Sequence, residues 1–237
     1  MRSVESISHS ASFDRKAVFE NALHRRILDM SMAPGSAVDE LALSKEFGLS
    51  RSPVREVLRQ LAGEGYIEMA ANRAPRVAPL PSSAFKGFAR SCGLIYVATA
   101  HLAAANASAA DVTRLRNTLQ QLEGASQADN HQACAPLESA LQLRIGLISE
   151  NPFLTPSLKR LLIDHARIQQ LIYRWQTRAA ATADMGELTR CYARLIDAIA
   201  SHDVSHATHT CNRLIQLIHQ RVDAYLSATT AVREAFN

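Results

Sequence analysis

Apolar residues at the start of the chain recur every three or four positions, which is the spacing of one buried helix face. They predict a first helix within residues 13–30, where the apolar positions are Val18, Leu23, Ile27 and Leu28. The stretch Met32-Ala-Pro-Gly-Ser36 predicts a turn. Residues 39–47 then form a short second helix that Gly48 ends. The chain therefore opens with two helices joined by a turn.

A third helix follows closely, and its two faces differ. Ser50 occupies the N-cap position and Pro53 lies in the first turn, where a missing N–H is tolerated. The buried stripe consists of Val54, Val57, Leu58 and Leu61, and the helix stops at the glycines of 63–65. On the opposite face the pattern places Arg51, Arg55 and Arg59, four residues apart.

Two short strands, 66–70 and 75–79, are predicted around a polar tip that contains Asn72 and Arg73. Helix, turn, helix and hairpin in this order predict a winged helix-turn-helix over 13–80. The polar, serine-rich residues 1–12 predict a flexible arm. The proline- and serine-rich segment 81–83 predicts a linker to a second domain.

Beyond this linker the pattern is helical, with almost no strand signal. Residues 84–230 predict an all-α bundle of about six helices, and 231–237 a tail. The expected helices are 84–106, 109–123, 134–149, 153–178, 186–200 and 203–227. The fold class is therefore mostly α, an N-terminal winged helix-turn-helix followed by a C-terminal helical bundle.

Composition excludes several classes of protein. Hydrophobic residues make up 47% of the chain and charged residues 20%, which suits a folded chain with a buried core. The N-terminus lacks the apolar segment of a secretory signal, and no apolar run is long enough to cross a bilayer. The four cysteines show no CxxC spacing. We expect a cytoplasmic protein with reduced thiols and no membrane partner.

The arginine face of the third helix is the strongest candidate for chemistry. A net charge of +4 suits a nucleic-acid binder but also many enzymes, and three arginines alone often form only a solvated face. Their position on the second helix of a winged helix-turn-helix favours DNA binding instead. Arg51, Ser52 and Arg55, with Arg59 on the same face, would meet bases and phosphates. The wing tip, Asn72 and Arg73, would reach the minor groove or the backbone.

The first domain resembles the DNA-binding domain of GntR-family bacterial transcription regulators. The resemblance runs from Phe13 to Leu80 and rests on APG after the first helix, on LSRSPVREVLRQLAGEGYI and on NR…RVAPL in the wing. It implies DNA contacts at Arg51, Ser52, Arg55 and the wing tip. One departure lies in the wing, where Ala74 and Pro75 follow Asn-Arg in place of the usual glycine.

The second domain is similar to the FCD domain of the FadR-like subfamily, which binds a small organic acid, often beside a metal ion. LQLRIGLISENPFL and Asp197-Ala-Ile-Ala200 carry this resemblance. It implies an effector pocket that contains Cys92, Tyr96, Glu138, Gln142, Tyr192 and Leu214. The family's metal-ligand positions hold the last four of these residues, so we expect no metal and no other cofactor. Such a pocket favours a ligand less anionic than a dicarboxylate.

Two further groups of residues leave alternatives open. His202, His206 and His209 have spacing that could hold a metal at the surface, although solvated histidines are commoner there. On the predicted helix 153–178, pocket, core and dimer-surface roles are all open for Arg167, Tyr173, Arg174 and Trp175.

The interpretation we favour is a ligand-responsive transcription regulator rather than an enzyme. It would bind a two-fold operator of double-stranded DNA as a homodimer and hold a small organic effector in its C-terminal bundle. The alternative is a metal-dependent sensor or helical enzyme with an accessory DNA-binding head. Against catalysis, no nucleophile–base pair and no phosphate loop is apparent in the sequence.

Overall fold

The computed structural model describes the backbone of residues 2–235 and the side chains of 15–130 and 132–229. The chain divides into two compact units, Met1–Leu80 and Pro81–Asn237. Each unit has its own core and is described by itself.

The first unit contains three helices and a hairpin. Its helices are α1 (Arg2–Leu28), α2 (Glu40–Phe47) and α3 (Arg51–Glu64), and its strands are β1 (Ile67–Glu68) and β2 (Arg76–Val77). The strands are antiparallel, with Ile67 opposite Val77 and Glu68 opposite Arg76. The winged helix-turn-helix predicted from the sequence is confirmed, although each strand spans only two residues.

The ends of α2 and α3 follow local chemistry. Gly48 and Gly65 adopt left-handed φ values of 59° and 94° at the two C-termini, a conformation that costs glycine nothing. At the start of α2 the Asp39 carboxylate accepts 2.9 Å hydrogen bonds from the backbone N–H groups of Leu41 and Ala42. These caps determine where α2 begins and where α2 and α3 end.

The core of the first unit holds α3 by its apolar face. Buried side chains from all three helices and both strands form one cluster, whose members include Phe19, Leu23, Ile27, Leu43, Val54, Val57, Leu58, Leu61, Ile67 and Val77. Because the four apolar residues of α3 are fully buried, its arginine face must point to solvent.

The second unit consists, among the described residues, of six helices. They are α4 (Ser82–Asn106), α5 (Ala109–Gln127), α6 (His131–Ile148), α7 (Leu154–Trp175), α8 (Arg178–Ala200) and α9 (Val204–Ala235). This agrees with the bundle of about six helices predicted from the sequence. The expected start of the fifth bundle helix at residue 186 is wrong, because α8 begins directly after its N-cap residue Thr177 and continues through Gly186.

The ends of the chain also differ from expectation. The predicted arm over 1–12 is helical from Arg2, and the last helix continues to Ala235, into the predicted tail. Neither helix contains a proline or glycine, so nothing in these segments interrupts the hydrogen-bond ladder. Met1 and residues 236–237 lie outside the described residues.

The helix α7 contacts α4, α6 and α9. Every residue from His165 to Gln170 is buried, including polar ones. Gly146 on α6 permits the close approach of α7, since a Cβ there would lie 1.9 Å from Leu158 Cδ2. The bundle therefore encloses polar side chains of α7 on all sides.

Candidate nucleic-acid interface and buried polar site

The six residues predicted to contact DNA are all exposed in the first unit. Four of them, Arg51, Ser52, Arg55 and Arg59, lie along the outer face of α3, and Asn72 and Arg73 lie at the hairpin tip. Among the described residues, no ion pair involves Arg51, Arg59 or Arg73. These three guanidiniums are therefore available to an external anion.

The N-terminus of α3 adds hydrogen-bond donors to this face. Ser50 is the N-cap residue, as predicted, but its side chain makes no capping hydrogen bond. The usual partner is the N–H of the third helical residue, and that residue is Pro53, which has none. Among the described residues, the Ser50 hydroxyl and the first backbone N–H groups of α3 therefore have no hydrogen-bond partner. They lie at the positive end of the helix dipole, an arrangement suited to phosphate.

Arg55 is held by an ion pair that the sequence analysis did not predict. Its Nε lies 2.8 Å from Glu40 Oε2, at the first residue of α2, and the arginine side chain remains 54% exposed. This contact fixes the guanidinium between the two helices of the motif. The sequence feature that could have indicated this ion pair is the acidic residue Glu40 in the first turn of α2, the helix that precedes α3.

The wing tip is ordered by its backbone. Asn72 adopts a φ of 60°, which asparagine tolerates better than most residues. The buried Pro75 accepts a 2.8 Å hydrogen bond from Val38 N–H through its carbonyl. The backbone carbonyl of residue 75 thus anchors the hairpin to the segment before α2, and Arg73 stays exposed beyond that anchor.

In the second unit, the six residues predicted for an effector pocket are all buried. Cys92 and Tyr96 come from α4, Glu138 and Gln142 from α6, Tyr192 from α8 and Leu214 from α9; each is at most 1% exposed. Gln142 Nε2 donates a 3.1 Å hydrogen bond to the Tyr192 hydroxyl. Glu138 and Gln142 are four residues apart on α6, so they share one face of that helix.

Two polar residues of α7 join this set. Tyr96 is hydrogen-bonded to His165 Nδ1, and Tyr173 donates a 2.7 Å hydrogen bond to Glu138 Oε2. His165, Gln169 and Tyr173 are spaced i, i+4, i+8, so they share one face of α7. His165 Nε2 and both side-chain polar atoms of Gln169 have no hydrogen-bond partner among the described residues.

A buried cation completes the site. Arg221 on α9 is 6% exposed, and its Nη1 lies 3.6 Å from Glu138 Oε1. The Arg221 guanidinium also lies over the Tyr173 ring, 4.9 Å from its centroid. Arg221 was not predicted from the sequence, although Leu214, Ile218 and Arg221 recur at i, i+4, i+7. An arginine within an apolar stripe was the available signal.

Burial controls the protonation of these groups. It raises the pKa values of the Tyr96 and Tyr192 phenols well above 10, so both stay neutral. Burial, with a smaller contribution from Arg221, lowers the pKa of His165 to about 3. Burial also raises the pKa of Glu138, and Arg221 and Tyr173 offset only part of that rise.

A metal of the kind found in related domains does not fit these residues. Glu138 is the only carboxylate of the four corresponding positions, and a guanidinium already lies beside it. Gln142 uses its amide N–H for Tyr192, the Tyr192 phenol is neutral, and Leu214 offers no ligand atom.

The remaining candidates are separated by the structure. Within the described residues, the group of at least three converging His, Cys, Asp or Glu ligands is Glu20, His24 and Glu64 on the first unit, not His202, His206 and His209. His202 instead bonds the Ala104 carbonyl at 2.9 Å. On α7, Arg167 and Tyr173 are buried, Arg174 is exposed, and Trp175 lies at a surface cavity.

Comparison with known families agrees with this division. Residues 16–77 match the bacterial regulatory proteins of the gntR family, and residues 92–217, more than half of the chain, match the FCD domain. Within the described residues, no helix is long and apolar enough to cross a membrane.

Individual relatives support the same assignment. The uncharacterized HTH-type transcriptional regulator YdhC of Bacillus subtilis is 40% identical over 50 residues, which are 21% of this chain and 22% of that protein. The match thus spans about a fifth of that relative's length.

Two solved structures share the fold across most of the chain. E. coli McbR/YncC has a TM-score of 0.76 at 20% identity, over 91% of this chain and 98% of that one. Listeria monocytogenes Lar has a TM-score of 0.57 at 16% identity, over 88% and 96%. The gntR-type head and the FCD domain together show that this chain is a member of the GntR family of DNA-binding transcription regulators, with an FCD domain as its second unit.

Proposed function

We propose that the first unit reads a two-fold operator with the exposed face of α3 and the wing tip. Arg51, Ser52 and Arg55 would contact bases and phosphates in the major groove, and Arg59 the adjacent backbone. Asn72 and Arg73 would contact the minor groove or its phosphates. The observation that carries this proposal is the exposed arginine face beside an unbonded helix N-terminus.

Arg55 is the residue that we expect to specify sequence. Its ion pair with Glu40 leaves the guanidinium half exposed, so it can approach a guanine edge without losing its anchor. Arg51 lies in the first turn, beside the free Ser50 hydroxyl, where phosphate binding needs no side-chain rearrangement.

The second unit is proposed to bind a small organic effector between its helices. Support comes from the convergence of Tyr96, Glu138, Gln142 and Tyr192 with His165 and Gln169, several of whose buried polar atoms have no partner among the described residues. Unsatisfied groups of this kind cost about 1–3 kcal/mol each, and a polar ligand would recover that energy. The effector would act through unequal affinity for two arrangements of the DNA-binding heads.

The protein would act as a homodimer in the cytoplasm, where its operator lies, and would bind its effector without converting it. A two-fold operator requires two heads related by the same symmetry. Against catalysis, burial raises the pKa of the Cys92 thiol to about 12, so the thiol next to His219 is not a nucleophile at neutral pH.

The operator proposal can be tested by selecting binding sites from a random pool of duplex DNA with the full-length protein. We expect a palindromic consensus and an affinity that falls steeply with salt. Arg55→Ala should relax the consensus at one position in each half-site, whereas Arg25→Ala, which removes an exposed arginine from α1, should change neither consensus nor affinity. Recovery of no consensus, or of a consensus without symmetry, would contradict the proposal.

Dimerisation and effector binding need separate measurements. Sedimentation of the full chain should give a dimer. Native mass spectrometry of the purified protein should show whether a small molecule accompanies it, and Gln142→Leu combined with Tyr192→Phe should remove that molecule. A monomer at operator-binding concentrations, or a ligand retained by the double variant, would contradict the respective part.

A further inference from the structure

A cavity of about 480 Å³ opens at the surface of the second unit, among the end of α7, the first half of α8 and α9. None of the six residues predicted for the effector pocket lines it. Its walls combine an apolar side, formed by Trp175, Leu188 and Leu217, with a polar side formed by Gln176, Asp184 and Arg221. The cavity therefore offers both a surface for an organic ligand and charged groups that select one.

Arg221 lies between this cavity and the buried polar site. Its inner partner is Glu138, which is fully buried, 3.6 Å from Nη1. Its outer partner is Asp184, whose side chain is 36% exposed and whose Oδ2 lies 3.8 Å from Nε. None of the three guanidinium nitrogens has a hydrogen-bond partner among the described residues. The carboxylate contacts of this guanidinium, at 3.6 and 3.8 Å in a side chain only 6% exposed, are thus longer than ordinary hydrogen bonds.

We propose that the cavity binds the carboxylate of a small organic monoacid at Arg221, and that Asp184 is a built-in competitor that the ligand displaces. This inference rests on the proposed role of the second unit as an effector-binding domain. The ligand carboxylate accepts two N–H groups of the guanidinium, a geometry that Asp184 does not reach. The ligand's apolar body lies against Trp175, Leu188 and Leu217.

The N–H donors of Arg221 favour an anion over a cation at this point of the cavity. Burial lowers the pKa of Arg221, but Tyr173, Glu138 and Asp184 together raise it more, so the guanidinium remains charged. The acids of the cavity are already engaged: Gln176 donates to Asp184, and Arg213 lies 2.8 Å from Glu187. An entering cation would meet a fixed positive charge and no unengaged carboxylate.

The same charges limit the ligand to one carboxylate. Glu138 and Asp184 already place two acidic groups around a single guanidinium, and a second ligand carboxylate would face Asp184 or Glu187. An aromatic or aliphatic monocarboxylate satisfies Arg221 and fills the apolar side.

Trp175 is the only tryptophan of the chain and lines the cavity, so its fluorescence reports occupancy directly. The full-length protein is titrated with benzoate, and with benzamide, benzylamine and phthalate as neutral, cationic and dianionic counterparts. We expect a saturable change with benzoate, and affinities weaker by about ten-fold or more for the other three, because each lacks the single charge-assisted contact or adds a repulsive one.

Variants decide which residue is responsible. Glu138→Gln combined with Arg221→Gln keeps the shape of the pair without its charges and should weaken benzoate binding about ten-fold or more. Asp184→Asn should strengthen it several-fold, a change opposite in sign to that caused by damage to the fold. Arg194→Gln, an exposed arginine on α8 away from the cavity, should leave the affinity unchanged.

Each other outcome overturns the inference. Absence of a saturable change with benzoate, equal binding of benzamide, or weaker binding by Asp184→Asn would each do so, and preferred binding of benzylamine would make Asp184 a cation site. Operator affinity of the ligand-free variants is measured in parallel. If the full-length protein binds a symmetric operator but its Trp175 fluorescence does not respond to benzoate, the carboxylate site alone is refuted. If the protein selects no symmetric operator, the proposed function is refuted instead.

Discussion

Arginine side chains occupy opposite environments in the two units. On α3 of the first unit, Arg51, Arg55 and Arg59 are exposed along one helix face. In the second unit, Arg167 and Arg221 are 0% and 6% exposed. Arg167 pairs with Asp164, and Arg221 lies beside Glu138 and over the Tyr173 ring. The same residue type is thus presented to solvent in one unit and enclosed in the other.

The exposure of each guanidinium determines what it can recognise. An exposed arginine keeps its hydration and costs little to position, so it can meet any phosphate that approaches and depends on neighbours such as Glu40 for selectivity. A buried arginine has lost its water and needs an acceptor inside the fold. It therefore discriminates between ligands by charge and geometry, as an effector site must.

The greatest loss of stability should come from Arg221→Gln. The substitution leaves the buried Glu138 without its counter-charge, which typically costs about 3–5 kcal/mol. Arg59→Gln, the exposed counterpart, should stay within about 0.5 kcal/mol of the parent. Urea unfolding of the second unit is followed by Trp175 fluorescence for Arg221→Gln, and hydrogen exchange of the first unit is compared for Arg59→Gln.

The double variant Glu138→Gln/Arg221→Gln is the control for this prediction. It removes both charges together, so most of the lost stability should return. A single Arg221→Gln variant as stable as the parent would mean that the buried pair is not an electrostatic unit.

On the exposed side of the contrast, Arg55→Ala should weaken operator binding without lowering stability. Loss of one base contact costs about 1–3 kcal/mol per half-site. Affinity is measured on the selected operator at fixed salt, and unfolding in parallel. Arg55→Lys is the informative companion, because lysine keeps the charge but not the fork that pairs with both Glu40 and a guanine edge. Parent affinity in Arg55→Ala would remove the residue from the interface.

Lowering the pH should destabilise the second unit through His165. Burial lowers the folded-state pKa to about 3, whereas an unfolded histidine titrates near 6.5. Below pH 6.5 the unfolded chain therefore binds the proton and the folded chain does not, so stability falls with pH over the window from about 6.5 to 3. Between pH 7 and 5.5 the loss should be about 1.3 kcal/mol.

Urea unfolding monitored at Trp175 across this range measures the effect. His165→Gln should flatten the dependence, while His101→Gln, an exposed histidine on α4, should leave it unchanged. An equal slope in the parent and His165→Gln would assign the pH dependence to another group.

The sequence predicted the first unit well because its signals are local. The stripe Val54, Val57, Leu58 and Leu61 and the glycines at 48 and 65 determine α3 within a few residues of chain. The six helices of the bundle follow from the same kind of periodicity. The largest departures among the helices are the continuation of α8 through Gly186 and the extended ends of α1 and α9, because a polar or glycine-containing segment does not by itself interrupt a helix.

The buried polar site could be predicted only in part. Resemblance pointed to Glu138, Gln142 and Tyr192, and their burial is consistent with it. Their partners Tyr173 and Arg221 lie on other helices, and which polar face of α7 meets which residue of α6 or α9 depends on packing between helices rather than on local spacing. A polar residue in an apolar stripe signals an internal partner without saying which one.

The smallest effect on stability is expected for the N-cap residues of α2 and α3, which are Asp39 and Ser50. The Asp39 carboxylate accepts hydrogen bonds from two backbone N–H groups. Asp39→Ala should therefore lower the free energy of unfolding of the first unit by about 1 kcal/mol. Ser50 makes no capping hydrogen bond because Pro53 lacks an N–H. Ser50→Ala should therefore lower the free energy of unfolding by only a few tenths of a kcal/mol. Hydrogen exchange of peptides from residues 16–77 measures both.

In operator affinity we expect the reverse order, so Ser50→Ala should weaken DNA binding more than Asp39→Ala does. The free Ser50 hydroxyl lies beside Arg51 at the start of α3, where a phosphate oxygen would approach, and its loss removes one neutral hydrogen bond, about 1 kcal/mol. Asp39 uses its carboxylate within the fold, so its removal should leave affinity per folded molecule unchanged. If Ser50→Ala instead lowers stability as much as Asp39→Ala does, its hydroxyl serves the helix rather than the DNA, and the exposed face of α3 loses one of its phosphate contacts.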